Sequence, residues 1–323
     1  KKEYNKKIKK MYYNSVTKIS NWYRISMKKI YSIKDDFVDT RLDRWFKKEV
    51  FDIPQSYIQK NLRKGKIKVN NKKTKSSYKL QKEDTVTIFD LSFSPDKNKK
   101  IIKKYEPNKN ELSKSSDIFI ENNENFAVIN KPSGIAVQSG TKSLKNLIDL
   151  LRKTKEFKDS TPYTVHRLDK DTSGILIVAK NRKFAQLFTS LFRIRKIHKT
   201  YLGITIGEFQ KKKDTLIDEL IYYEGKKRLI QKAITHYSVA DTNGHYSLLK
   251  LNPVTGRKHQ LRKQLLNIGN PIVGDDKYYI NNRKKYKNLL LHAYKIKFMI
   301  NNVQYNFKAK YNEAFEYFLN KNF

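Results

Sequence analysis

Cysteine is missing from all 323 residues, so neither a disulfide framework nor a thiolate metal site is available. Histidine is scarce at six, and the six are scattered: no His-x-x-x-His pair and no Asp/Glu cluster gives metal-ligand spacing. No metal is expected. Long apolar runs are lacking as well. Nothing approaches the roughly 18 consecutive apolar residues that would carry a helix across a bilayer, so no spanning segment is expected. Acid is in short supply, with 31 Asp and Glu against 70 Lys and Arg, a formal net charge of +39. A compact chain so charged repels itself, and a polyanionic partner relieves the repulsion. Nucleic acid is the first candidate and an anionic membrane surface the second. The wealth of Lys, Asn, Ile and Tyr also fits an AT-rich genome, which makes part of the lysine excess background.

The length allows one sizeable catalytic core and a small accessory domain. Residues 1–34 form a basic extension with Glu3 its one acid and no sustained period, expected to be disordered. It reads as an RNA-binding arm, as a targeting peptide, or as translation upstream of the true start near Met27; its Lys-rich composition is unlike the Arg and Ser of transit peptides. From Arg41 the pattern sharpens. Leu42, Trp45, Phe46 and Val50 fall at helical spacing, and Pro54 separates them from a second helix, Gln55 to Lys64, with Ile58 and Leu62 inward and Gly65 at its end. An alternating strand from Lys66 runs into an Asn70-Asn71 turn, and Thr85–Phe89 is a closing strand. Between Gln55 and Lys82 ten residues are basic (Lys60, Arg63, Lys64, Lys66, Lys68, Lys72, Lys73, Lys75, Lys79 and Lys82) and none is acidic. A face of one sign suits a phosphate backbone read without regard to sequence. Residues 92–116, rich in Lys, Asn and Ser with two prolines, read as a linker.

A larger domain is expected over 117–323. Phe126–Asn130 is a short buried strand emptying into the turn Lys131-Pro-Ser-Gly134, where Ser133 reads as structural. Ser143 is expected to cap a helix whose inner face is Leu144, Leu147, Ile148 and Leu151. The charged stretch His166-Arg-Leu-Asp-Lys-Asp-Thr-Ser-Gly174 then breaks into the apolar run Ile175–Ala179, the profile of a buried central strand with a polar loop at its end. Taken as residues alone, the loop is either a solvated turn pairing Asp169 and Asp171 with Arg167 and Lys170, or a site. A helix with the stripe Phe184, Leu187, Phe188, Leu191 and Phe192 follows, then Lys199-Thr-Tyr201 opening the strand Leu202–Ile206. Residues 211–234 carry no interpretable motif. Leu249–Gly256 is a strand and turn, and a helix is expected from Arg257 to Ile268, with Leu261, Leu265 and Ile268 inward, Gly269 at its C-cap, and His259 and Arg262 on one face.

HRLDKDTSG, preceded by NKPSG and followed by KTY, GRKHQLR and LHA, resembles the motif series of the RluA-type pseudouridine synthases. The series RLDRW…LRKGKIKVN resembles an S4-type RNA-binding domain, over 39–91, and the whole similarity runs from about Asp39 to Ala293. The resemblance implies an α+β chain: a small αα-hairpin-plus-β S4-like domain joined to a mixed, largely antiparallel-sheet catalytic domain. It implies isomerisation of uridine to pseudouridine in RNA, with Asp169, Tyr201 and Arg262 catalytic. His166, Arg167, Lys131, Arg257 and His259 would bind substrate, Arg167 by holding the RNA or intruding where the uridine leaves the stack, and His292 of LHA reads as structural. RNA binding by the S4-like unit would fall to Lys60, Arg63, Lys64, Lys66, Lys68, Lys72 and Lys73.

The chemistry fits these residue types. Breaking the N-glycosidic bond, turning the base and rejoining it through C5 needs no redox change and loses no group, so no cofactor is expected. It needs an ionised nucleophile, which Asp169 supplies; a neighbouring guanidinium, Arg262 by resemblance, favours that charge in a water-poor pocket. Tyr201 would lie against the base and accept the C5 proton or a sugar proton. Extruding a base from folded RNA costs a few kcal/mol, which basic surfaces offset. The expected partner is RNA, with large-subunit ribosomal RNA the substrate, for a monomer in the cytoplasm, or in an organelle if residues 1–34 are a targeting peptide. A transfer-RNA-directed synthase and a non-catalytic RNA-binding ribosome-assembly factor are the alternatives; intact Asp169, Tyr201 and Arg262 speak against the second.

Overall fold

The computed structural model describes residues 16–19, 22–25, 27–93, 105–108, 112, 116–139, 145–224, 227–280 and 286–323. The chain divides into two compact units, Lys1–Ile102 and Lys103–Phe323.

The first unit holds β1 (Val16–Ile19), β2 (Trp22–Ile25), β3 (Lys29–Ser32), α1 (Leu42–Glu49), α2 (Gln55–Arg63), β4 (Ile67–Val69), β5 (Thr85–Ile88) and β6 (Leu91–Phe93). The strands make two three-stranded sheets, ordered β1-β2-β6 and β3-β5-β4. Helical spacing buries Leu42, Trp45 and Phe46 from α1 and Ile58 and Leu62 from α2; alternation buries Ile67 and Val69 against Val86 and Ile88. Gly65 ends α2 at φ 74°, in the left-handed region that glycine enters without penalty, and Asn70 and Asn71 turn the chain at φ 48° and 62°. That turn returns through a single bridge, Val69 to Lys72, and the ladder partner of β4 is the later strand β5.

The expectation of a disordered extension over 1–34 is corrected for the described part. Tyr23 pairs with Phe93, Tyr31 pairs with Val86, and Ile25 is wholly buried. Partners some 55 to 70 residues downstream order these strands, so no local period betrays them. Residues 1–15 lie outside the described residues, as does most of the stretch read as a linker, although β6 runs into its start.

The second unit contains β7 (Phe119–Asn122), β8 (Phe126–Lys131), α3 (Leu147–Leu151), β9 (Tyr163–Thr164), β10 (Ser173–Ala179), α4 (Arg182–Arg193), β11 (His198–Ile206), β12 (Lys213–Glu224), β13 (Lys227–Thr242), β14 (Tyr246–Pro253), α5 (Gln260–Asn267), β15 (Leu291–Ile300), β16 (Val303–Lys308) and α6 (Glu313–Asn322). All ten strands join one sheet, ordered β12-β13-β14-β11-β15-β10-β8-β7, with β16 on β15 and β9 on β10. The fold is mixed α+β with a mostly antiparallel sheet. Strand alternation sends Leu176 and Val178 of β10 to the side of α3, while Ile175 and Ile177 meet Phe188 of α4. On β11, Tyr201 packs with Leu261 and Leu265 of α5, whereas Leu202 and Ile204 pack with Phe315 and Phe318 of α6. Helices therefore cover both faces, which is why β10 is buried along its whole length.

Three expectations here are corrected. Asn146, not Ser143, caps α3, its side chain accepting the Asp149 N–H; Ser143 and Leu144 lie outside the described residues. The helix expected from Arg257 begins at Gln260, and Ile268, expected inward, is 43 % exposed beyond its end. The unreadable segment 211–234 forms most of β12 and β13, an antiparallel hairpin paired from Lys213↔Ser238 to Glu224↔Lys227. No helix among the described residues is long and apolar enough to cross a membrane.

Candidate active site

One junction in the sheet places the site. Strands β10 and β15 run parallel, but only through Ser173↔His292 and Gly174↔Ala293; Tyr201 of β11 pairs with the same Ala293 from the other side. A Cβ on Gly174 would lie 2.3 Å from the Ala293 carbonyl oxygen, and its φ is +104°, so glycine alone permits this approach. Beyond the junction the two strands part. Ile177 N–H is left without a strand partner and donates to Nε2 of His166 at 2.8 Å. The ring of His166 packs on Phe192, and burial, then Lys199, pushes its pKa down to about 3, so the imidazole is neutral. His166 thus borders the cavity while its Nε2 is spent on β10.

The loop 166–172 is pinned from beneath by the NKPSG turn. Lys131 is fully buried, and its ammonium gives all three protons to backbone carbonyls of Pro132, Ile135 and Lys170, at 2.8, 2.9 and 2.9 Å. Burial lowers its pKa to about 7 against the opposing pull of Asp171 and Asp169. The Ser133 hydroxyl donates to the Asp171 carbonyl at 2.7 Å, and Gly134 N–H to that of Lys170 at 3.0 Å. The expectation that Lys131 binds substrate is corrected: with no proton left to donate, it is a clamp under the loop.

With Leu168 sunk into the core, Arg167 turns outward and Asp169 reaches a cavity of about 590 Å³. The cavity gathers Asp169, Tyr201, Arg262, His259, Arg257, Arg167 and His166, seven of the eight side chains expected in the catalytic domain. Asp169, its side chain 23 % exposed, has Oδ1 3.7 Å from His259 Nε2 and Oδ2 4.0 Å from Arg262 Nη1. The closest carboxylate to Arg262 is a different one. Asp275 takes Nε and Nη2 in a two-pronged pair at 2.6 and 2.7 Å, and Asp276 accepts from Nη2 at 3.2 Å. Burial opposes the Arg262 charge, but Asp275, then Asp169 and Asp276, outweigh it and hold the guanidinium above its ordinary pKa. Gly274 puts Asp275 there: at φ +77° it passes so near the Asn288 carbonyl that a Cβ would sit 1.8 Å from the oxygen.

The turn before α5 is fixed by Gln260, a buried amide. Its Oε1 accepts from Thr255 Oγ1 at 2.7 Å and Arg257 N–H at 3.0 Å, and its Nε2 donates to Ile234 O and Thr235 Oγ1 at 3.1 and 2.9 Å. A side chain that binds the turn upstream of itself ends the helix there, which explains the late start. His259 sits at the cap with φ 54°, left-handed, and Arg257 folds back to give Nε to the Lys232 carbonyl at 3.2 Å. Burial, then Asp169, drives the Tyr201 phenol well above its ordinary pKa, so it keeps its proton. Arg193, Arg195, Lys199 and Lys258 also line the cavity. Among the described residues none of these four side chains, nor that of Arg167, has a carboxylate partner. Sequence reasoning missed Arg193, Arg195, Lys199, Asp275 and Gln260. The one available cue was Gly274-Asp-Asp, a glycine where a backbone approaches closely. Among the described residues no group of three or more His, Asp or Glu is arranged to hold a metal ion.

In the first unit Lys60, Arg63, Lys64, Lys72 and Lys73 are exposed and lack acidic partners among the described residues. Lys66 is tied to Asp90 at 3.6 Å, and Lys68 lies over the Phe89 ring at 5.4 Å.

Comparison with known proteins gives a consistent set of likenesses. Residues 125–267 match the family described as RNA pseudouridylate synthase. The ribosomal large subunit pseudouridine synthase C of Buchnera aphidicola subsp. Schizaphis graminum is 32 % identical over 292 residues, covering 86 % of this chain and 91 % of that protein. The protein of the same name from Haemophilus influenzae is 32 % identical over 284 residues, covering 84 % and 87 %. Among solved structures, human RNA pseudouridylate synthase domain containing 4 matches at TM-score 0.56 and 25 % identity, over 65 % of this chain and 94 % of that one.

Proposed function

The chain belongs to the RNA pseudouridylate synthase family, and from that premise we propose that it isomerises uridines of large-subunit ribosomal RNA with Asp169 as the nucleophile. The observation that carries the reading is the placement of Asp169: one carboxylate on the cavity wall between His259 and Arg262, with Tyr201 lining the same space. In the reaction the C1′–N1 bond breaks, C1′–C5 forms, C5 releases a proton and N1 gains one, so the residues need only attack, hold charge and move a proton. Asp169 attacks the nucleoside. Arg262, anchored by Asp275, is a fixed cation beside the carboxylate. Tyr201 lays its ring against the extruded base, and because burial keeps its phenol protonated it serves there as a hydrogen-bond donor. Arg167, Arg193, Arg195 and Lys258 around the cavity suit the flanking phosphates.

The curated relatives named for the large ribosomal subunit support the substrate. For the first unit we infer an S4-like RNA-binding role, resting on its αα-plus-β elements and the exposed cations of α2 and the Asn-Asn turn. Mapping pseudouridines in cellular RNA with and without the protein tests the substrate. Disappearance of sites from large-subunit ribosomal RNA is the expected result; disappearance confined to transfer RNA would replace this reading with the transfer-RNA one.

A further inference from the structure

His259 has two faces, and only one looks at Asp169. Its Nδ1 lies 2.9 Å from the hydroxyl of Tyr278, whose ring meets the imidazole edge-on at 79°. We propose that Tyr278 is a positioning residue: its hydroxyl donates to Nδ1 of His259 and fixes the tautomer whose Nε2–H points at Oδ1 of Asp169. The proposal rests on the nucleophile reading, since its purpose is to orient the attacking carboxylate.

Tyr278 is held as firmly as the groups it serves. Its backbone N–H and that of Lys277 donate to Asp275 Oδ1 at 2.8 and 2.9 Å, the same carboxylate that grips Arg262. The Arg262 guanidinium lies over the Tyr278 ring, 5.2 Å from its centre. One short segment, 275–278, thereby fixes both neighbours of Asp169. Arg262 is set through Asp275, and His259 through the hydroxyl of Tyr278.

A neutral imidazole has a single N–H. Placed on Nδ1, it would leave a lone pair on Nε2 facing the Asp169 carboxylate; placed on Nε2, it faces that carboxylate as a donor and leaves Nδ1 to accept from Tyr278. The charged groups around His259 favour the neutral ring. Burial lowers its pKa first, and Arg262, Lys277 and Lys258 add to that against the upward pull of Asp169. The tyrosine keeps its proton, since burial and then Asp275 and Asp169 raise its pKa against Arg262. At 3.7 Å the Nε2–Oδ1 pair is an oriented contact of the kind that tightens with substrate in place. The left-handed backbone at His259 places the ring at the cap, between Tyr278 and Asp169.

The test is 15N spectroscopy of the full-length, histidine-labelled protein, with His259 assigned by its loss in His259→Asn. In the wild type at neutral pH, Nδ1 should resonate as an unprotonated acceptor and Nε2 as a protonated nitrogen. Tyr278→Phe keeps the ring under Arg262 and removes only the hydroxyl. It should redistribute the tautomers, raise the pH at which His259 titrates, and lower the single-turnover rate at saturating RNA about tenfold, one hydrogen bond's worth, with RNA affinity unchanged. A wild-type His259 protonated on Nδ1, or a Tyr278→Phe protein with wild-type spectrum and rate, overturns the proposal and leaves the nucleophile reading intact. Normal turnover by Asp169→Asn overturns both.

Discussion

Arg262 is shared among three carboxylates, and Asp275 has the shortest hold on it. The residue series GRKHQLR was enough to put His259 and Arg262 beside Asp169, because a motif carries its three-dimensional context with it. It could not reveal Asp275, which lies 13 positions further on in a loop with no period to read. Lys131 failed for a related reason. A lysine after an apolar strand looks like an exposed cation, and only the folded chain shows it buried with every proton spent. Asp275→Asn keeps the shape but weakens the two-pronged pair, leaving Arg262 free to turn. The expected result is a fall of about 10- to 100-fold in single-turnover rate, with RNA affinity within a factor of about three of wild type. A parallel collapse of affinity would instead make Arg262 a phosphate contact.

Among the elements, β10 was the most legible, since a run of strand formers behind a charged loop has few other readings. Its surroundings were not. The parallel pairing with β15 joins Ser173 to His292, 119 positions apart, and the gap beyond Gly174 is closed by a histidine ring. The hairpin β12–β13 escaped notice because charged and polar residues interrupt its alternation throughout. Two histidines, His292 buried and His166 half-buried at the cavity edge, tie β10 in place and make its stability depend on pH. Burial lowers His166 to about 3 and His292 to about 4. Both are depressed in the folded chain, so as pH drops the unfolded chain takes up these protons first. Their contribution is whole above about pH 6.5 and is lost as pH falls towards 4, up to about 3 kcal/mol each over that window. His166→Gln keeps an acceptor for Ile177 N–H and removes the titration. Urea unfolding at stepped pH should show a shallower loss of stability for the variant between pH 6.5 and 4; parallel curves would contradict the assignment.

Across the whole molecule, the +39 charge pointed to a polyanion without saying where it binds. Part of that surplus sits around the cavity and part on the first unit, at Lys60, Arg63, Lys64, Lys72 and Lys73. If those five touch phosphates, replacing them with Gln in the full chain should flatten the slope of log affinity against log salt. The flattening should be about 0.7 for each phosphate of single-stranded RNA that the variant no longer neutralises. An unchanged slope would assign their charge to background. The stretch 92–116 stood out by its lack of periodicity, but strands β2 and β3 were not legible, because their partners β6 and β5 lie far along the chain. Everything converges on one carboxylate, and loss of hydrogen from C5 reports its chemistry directly. Tritium release from large-subunit ribosomal RNA labelled at uridine C5 should proceed with the wild-type protein and be absent with Asp169→Asn, while the two bind that RNA equally. Release by Asp169→Asn at a rate near that of the wild type would contradict the assignment of Asp169 as nucleophile.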